Sequence, residues 1–173
     1  MNIEQLNDKL SDCAKDIKLN FSVILTEEGA PDLNHKQRYG IALASAYAIK
    51  NAMLITAIMN EAIIHLTDNE IKAARSAANI MAMNNVYYRF IHLVSDKSYG
   101  NMPAKLRMNV IANPGISKDD FELNCLAVSA INGCGLCIDA HTQALMKEGI
   151  SKLGIQSAIR IAAVLNGVAA SIE

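Results

Sequence analysis

The stretch FELNCLAVSAINGCGLCIDAHTQALM, residues 121–146, decides how the chain folds. Its apolar residues recur at helical rather than alternating spacing on both sides of Asn132-Gly133, a dipeptide that stops a helix and turns the chain. The spacing predicts two helices in an antiparallel hairpin, the first ending near Ile131 and the second beginning near Cys134. Residues at i, i+3 and i+7 share a helix face, so Cys134, Cys137 and His141 line up in one stripe. The same hairpin sets residue 122 roughly opposite residue 143, about one turn from His141, and so carries the Glu122 carboxylate toward the imidazole.

That stripe admits three chemistries. In the first, the two sulfurs close a disulfide across one helical turn. The positive end of the helix favours a thiolate near Cys134, an effect that can draw a thiol pKa from about 8.5 into the range of roughly 3.5–7.5. Gly133 and Gly135 leave little bulk there, so another protein's sulfur could approach, while Leu136 and Ile138 anchor the helix by packing. Glu122, His141 and a cysteine then form a relay of base, orienter and nucleophile. The open helix end favours Cys134 as the attacking thiol, and the relay favours Cys137. In the second, zinc is held by Cys134, Cys137, His141 and either Cys125 or Glu122. Structural zinc usually pairs two short-spaced motifs, and no second CxxC or HxxxH occurs. In the third, the cysteines are small apolar fillers.

Helical signals continue outward in both directions. Upstream, Asn113-Pro114-Gly115 makes a turn, and Ser117 stands at an N-cap position with Asp119 and Asp120 in the following turn. Downstream, Gly149 closes the second helix of the hairpin, and Ser151 opens a last one through Ile155, Ala158, Ile161, Ala162 and Leu165. Residues 96–104, DKSYGNMPA, read as a loop. Thr67 and Glu70 form a capping box that starts a helix through Ile71, Ala74, Ala78 and Met81, with another helical stretch through Tyr87 and Ile91. Residues 37–66 read as helix with a break at Lys50-Asn51, and Ile3, Leu6, Leu10, Cys13 and Ile17 step along one face of a first helix. The segment YGIALASAYAIKNAMLITAIMNEAII echoes the opening stretch in apolar pattern: Ala48 meets Ala130, Ile49 meets Ile131, Leu54 meets Leu136 and Ala62 meets Ala144. The expectation is therefore an all-α chain, one domain over 1–173, with possible pseudo-repeated halves 1–95 and 105–173. In the first half, Ala52, Ile55 and Met59 stand where the second half has Cys134, Cys137 and His141, which makes the first half a chemically silent scaffold.

Of 173 residues, 51% are apolar and 19% charged, which suggests apolar area buried between subunits. A net charge of −1 without like-charged blocks offers no footprint for nucleic acid. No uninterrupted apolar run suits a membrane span, and the charged N-terminus lacks the apolar core of a secretory signal. These features imply the cytosol, where a CxxC is catalytic or metal-binding rather than a permanent staple. Cys13 reads as a core filler, and Cys125 as packing on the Glu122 face. His35, His65 and His92 have no partner pattern, and Tyr87, Tyr88 and the eight methionines read as core or subunit contacts.

Taken together, Glu122, Cys134, Cys137 and His141 resemble the signature of the alkyl hydroperoxide reductase D family, alkylhydroperoxidases of the carboxymuconolactone decarboxylase-like superfamily. LRMNVIANPGISKDDFELNCLAVSAINGCGLCIDAH resembles that family almost continuously, as do AKDIKLN, LASAYA and IMAMNNVYYRF. The resemblance implies an all-helical fold, a ring-like homotrimer and a thiol-dependent peroxidase and disulfide reductase. It implies electrons from dihydrolipoamide, carried on a lipoyl-bearing 2-oxo acid dehydrogenase E2 subunit, passed to an oxidised two-cysteine peroxiredoxin or to peroxide. It implies no metal, haem or flavin, with Cys134 and Cys137 as the redox pair and Glu122 and His141 as the proton relay. A well-known member carries a histidine immediately before the second cysteine; Leu136 occupies that place here and cannot move a proton. The rival readings are a decarboxylase-like lyase of the same superfamily, which needs no CxxC, and a zinc-binding structural protein.

Overall fold

The computed structural model describes residues 1–172, and they are almost entirely helical. In chain order the helices are α1 (Ile3–Asp8), α2 (Lys15–Val23), α3 (His35–Ile49), α4 (Ala52–His65), α5 (Asp68–Leu93), the single turn α6 (Asn109–Ala112), α7 (Lys118–Ile131), α8 (Gly135–Lys147) and α9 (Lys152–Ala170). Two 3-10 turns, Asp12–Ala14 and Lys97–Asn101, complete the set. Pairing of β type among the described residues is limited to one antiparallel bridge, Leu10 to Ile172, which ties the two ends of the chain together.

The centre is built on α3 and α7. Every residue of α7 from Phe121 to Ser129 is buried, and α3 is buried from Ile41 to Ala46. A helix that is apolar or small-sided all round belongs in an interior. Its alanines and Gly40 let neighbours come close: a Cβ at Gly40 would stand 3.3 Å from Asn124 Oδ1 on α7. Around this pair pack α4, α5, α8 and α9, and one continuous apolar core runs through all of them. By length and composition α9 could cross a bilayer; here its face of Ala158, Ile161, Leu165 and Val168 is buried, and the helix packs on α3 and α7.

The breaks foreseen in the sequence are made by specific caps. Lys50 takes a left-handed conformation and Asn51 caps α4, its side chain accepting from the backbone N–H of Met53 and Leu54. In the second hairpin Gly133 takes the left-handed conformation and Cys134 is the cap. Asn51 and Cys134 thus hold the same cap position, each after a left-handed residue. Ser117 stands at the N-cap of α7 as expected, although its hydroxyl makes no capping bond.

Three expectations are corrected. The first helix is broken: α1 ends at Asp8, Leu10 pairs with Ile172, and Ser11 caps a 3-10 turn. That turn swings Cys13 outward, so it is an exposed thiol 2.8 Å from Ser11 Oγ rather than a core filler. The helical stretches around Met81 and Tyr87 are one continuous helix, α5. Asn84 and Asn85 interrupt the apolar pattern without interrupting the helix, because both are buried and Asn85 Nδ2 donates to Ser129 Oγ at 2.9 Å.

The Thr67 capping box is fully formed: Thr67 Oγ1 accepts from the Glu70 N–H, and Glu70 Oε2 accepts from the Thr67 N–H at 2.7 Å. Burial opposes the charge on Glu70, yet the Thr67 and Lys36 hydrogen bonds outweigh it and hold the carboxyl below its usual pKa. A depressed folded-state pKa gives stability that is complete above the unfolded value of about 4.3 and is lost as pH falls through the folded one. Glu70→Gln is therefore expected to flatten the acid limb of a urea-unfolding profile below pH about 4.3, and Thr67→Ala to cost about 1 kcal/mol at neutral pH.

Candidate active site

The α7–α8 turn sets the site. Asn132 ends α7, Gly133 reverses the chain, and the Cys134 N–H returns to the Ser129 carbonyl at 3.1 Å. This fold-back puts Cys134 at the N-cap of α8, where its sulfur accepts the Cys137 backbone N–H at 3.4 Å. One turn on, Cys137 is joined to Cys134 as a disulfide, with Cα atoms 5.3 Å apart. The expected stripe of Cys134, Cys137 and His141 is therefore present on one helix face.

Its accessibility differs from expectation. The two flanking glycines do not leave Cys134 open: capping its own helix turns the sulfur inward, and the residue is 0% exposed. Cys137 and His141 instead border a cavity of about 270 Å³ between α5 and α8, walled by Met81, Tyr88, Met108 and Leu136. Leu136 is not an anchor in the core; it is partly exposed at the rim.

Glu122 and His141 meet as the hairpin geometry requires, Nδ1 standing 2.6 Å from Oε2, and both residues are buried. The other ring nitrogen, Nε2, faces Met81 Sδ at 3.3 Å. With Glu122 accepting from Nδ1, Nε2 is the nitrogen left to take up and release a proton, and the thioether sulfur can accept its N–H once it carries one. Met81 is itself fixed from α7 by Ser129 Oγ, 3.6 Å away. Sequence reasoning placed Met81 in the core without giving it a polar partner, since the contact spans α5 to α8. It also passed over His92: a Cβ on Gly135 would lie 3.1 Å from His92 Cε1, so the glycine is what lets this imidazole lie over the start of α8.

Cys125 is buried on α7 and remains a free thiol. Burial, reinforced by the Glu122 charge, pushes its pKa well up, which keeps it protonated and out of thiol exchange. The residues a zinc site would need are otherwise engaged: the two sulfurs bond to each other, and the imidazole nitrogens face Glu122 and Met81.

A buried acid–imidazole pair beside a CxxC disulfide, on a helical hairpin under an apolar cavity, defines a dithiol site in an all-helical fold of the carboxymuconolactone decarboxylase type, and residues 98–173 match the model of the Carboxymuconolactone decarboxylase family. Among curated proteins, the chain is 56% identical over 167 residues to Alkyl hydroperoxide reductase AhpD of Coxiella burnetii (strain RSA 493 / Nine Mile phase I), covering 96% of this chain and 94% of the relative. Proteins of the same name from Rhodopseudomonas palustris (strain BisA53) and Bradyrhizobium sp. (strain ORS 278) are 53% and 52% identical over 173 residues, covering all of this chain and 94% of each relative. The chain belongs to the alkyl hydroperoxide reductase AhpD family.

Proposed function

We propose that this protein is a thiol-dependent alkylhydroperoxidase and disulfide reductase. The observation that carries the reading is that Cys137, bonded to Cys134, opens together with His141 onto an apolar cavity. An apolar wall beside a reactive sulfur suits the organic part of an alkyl hydroperoxide. In the reduced protein, His141, oriented by Glu122, takes the Cys137 thiol proton. The thiolate attacks the terminal peroxide oxygen; the S–O bond forms, the O–O bond breaks, and the alkoxide takes the proton to leave as alcohol. Cys134 then attacks the Cys137 sulfenic acid, expelling water and forming the disulfide. An external dithiol reduces that disulfide through a mixed disulfide, closing the cycle at one hydroperoxide per dithiol.

Dihydrolipoamide, borne on a 2-oxo acid dehydrogenase E2 subunit, is the proposed donor, and an oxidised two-cysteine peroxiredoxin the proposed protein acceptor. The proposal places the protein in the cytosol as one helical domain assembled as a homotrimer. The exposed apolar stripe of Met83, Val86, Phe90 and Leu93 on α5 supports burial against another subunit.

The test follows dihydrolipoamide oxidation with cumene hydroperoxide as acceptor. The expected result is one alcohol per dithiol consumed, abolished when the reduced protein is alkylated first. Activity that survives alkylation of both Cys134 and Cys137 would overturn the reading.

A further inference from the structure

The cysteines aside, three buried side chains among the described residues can carry a charge: Arg38, Glu122 and His141. Glu122 and His141 meet each other. Arg38, on α3 and only 4% exposed, forms no ion pair among the described residues. Its Nη1 donates to the Leu33 carbonyl at 2.5 Å, and its Nε is packed in without a partner. Nη2 is neither bonded nor packed out of reach, and the residue lines a cavity of about 500 Å³ bordered by α1, α2, α3 and α4. A guanidinium is almost never buried without a counter-charge, because its lost hydration is then uncompensated.

Opposite charges line the same cavity but are held apart from Arg38. Glu61 of α4 is partly buried there, and Glu4 and Glu27 are exposed. None of the three pairs with Arg38 or with another cation among the described residues. Tyr39 feels both signs: burial first, then the Glu61 carboxylate, raise its pKa against the pull of Arg38, so its hydroxyl stays a donor. Phe21 and Leu25 add an apolar wall. The volume falls in the range of small-molecule sites, about 300–1,000 Å³. The cavity shares no lining residue with the one beside Cys137, so it is a separate site.

We propose that this cavity binds an α-amino acid with an apolar side chain, its carboxylate accepting from Arg38 Nη2 and its ammonium donating to Glu61. A ligand carrying only negative charge would suit Arg38 and be repelled by three carboxylates. One carrying only positive charge would suit the carboxylates and leave Arg38 without a partner. A zwitterion satisfies both, and its two charge-assisted hydrogen bonds bridge groups that do not reach each other. Phe21 and Leu25 then take the side chain, and the Tyr39 hydroxyl has a carboxylate oxygen to donate to.

The test is titration calorimetry of the dialysed protein with L-leucine, L-isoleucine, L-methionine and L-phenylalanine. At least one is expected to bind with a Kd below about 1 mM. Its amide, which lacks the carboxylate, and its N-acetyl derivative, which lacks the ammonium, should each bind at least about 10-fold more weakly. Arg38→Met and Glu61→Gln should each weaken the amino acid by about 10-fold or more. Arg38→Met should also melt no lower than the parent, because an uncompensated buried charge is gone; loss of binding is then distinct from loss of fold. The proposal is overturned if none of the four amino acids binds. It is overturned equally if the amide and the N-acetyl derivative bind as tightly as the amino acid, or if both variants keep the parental affinity.

Discussion

Cys137→Ser is expected to reduce hydroperoxide turnover to background, a loss of about 10³-fold or more, because it removes the sulfur that borders the cavity. Cys134→Ser should behave differently. Its sulfur is buried as the cap of α8 and meets Cys137 from behind, so its proposed task comes after the first attack. That variant should still consume one equivalent of hydroperoxide in a burst, then stop with a sulfenic acid on Cys137 that dimedone can trap. The two serine variants thus assign order to the thiols, which helix polarity and relay geometry left divided between them. A burst in Cys137→Ser and none in Cys134→Ser would reverse the assignment.

The second large effect is expected at the buried pair. Glu122 Oε2 accepts from His141 Nδ1 at 2.6 Å, which fixes the ring and leaves Nε2 as the atom that takes up and releases the proton. His141→Gln and Glu122→Gln should each lower kcat/KM for cumene hydroperoxide by about 10²-fold to 10⁴-fold, the usual worth of a positioned acid–base group. Glutamine preserves volume and a hydrogen-bonding head at position 122, so the helical circular dichroism should survive. Equal turnover in parent and both variants would remove the pair from the proton path. A loss confined to Glu122→Gln would show that the carboxylate acts without the imidazole.

Much of this site could be read along the chain because it lies within one hairpin. The Asn132-Gly133 turn and the helical repeat were enough to bring Glu122 onto His141 across nineteen positions. Cap chemistry was harder to see. Cys134 looked open between two glycines, yet an N-cap side chain folds over the first turn of its own helix, and this buries the sulfur. The groups brought by α5 were out of reach for a different reason. Met81 was one methionine of eight, and Asn84-Asn85 fall between the two stretches read as separate helices. Only the packing of α5 on α7 and α8 makes Met81 a neighbour of the imidazole and seats Asn85 on Ser129. Cys13 shows the reverse error: its register was apolar, but the 3-10 turn capped by Ser11 ended that register before the cysteine was reached.

Exposed Cys13 also shapes the most direct test, since it can react with peroxide or label without belonging to the site. Reduced protein is treated with one equivalent of cumene hydroperoxide, digested under conditions that block exchange, and mapped by mass spectrometry. It is then treated with one equivalent of dihydrolipoamide and mapped again. The account predicts a Cys134–Cys137 disulfide after the first step, Cys125 still a thiol, and both site thiols restored after the second. Free Cys134 and Cys137 after the peroxide is spent, or oxidation confined to Cys13, would contradict it.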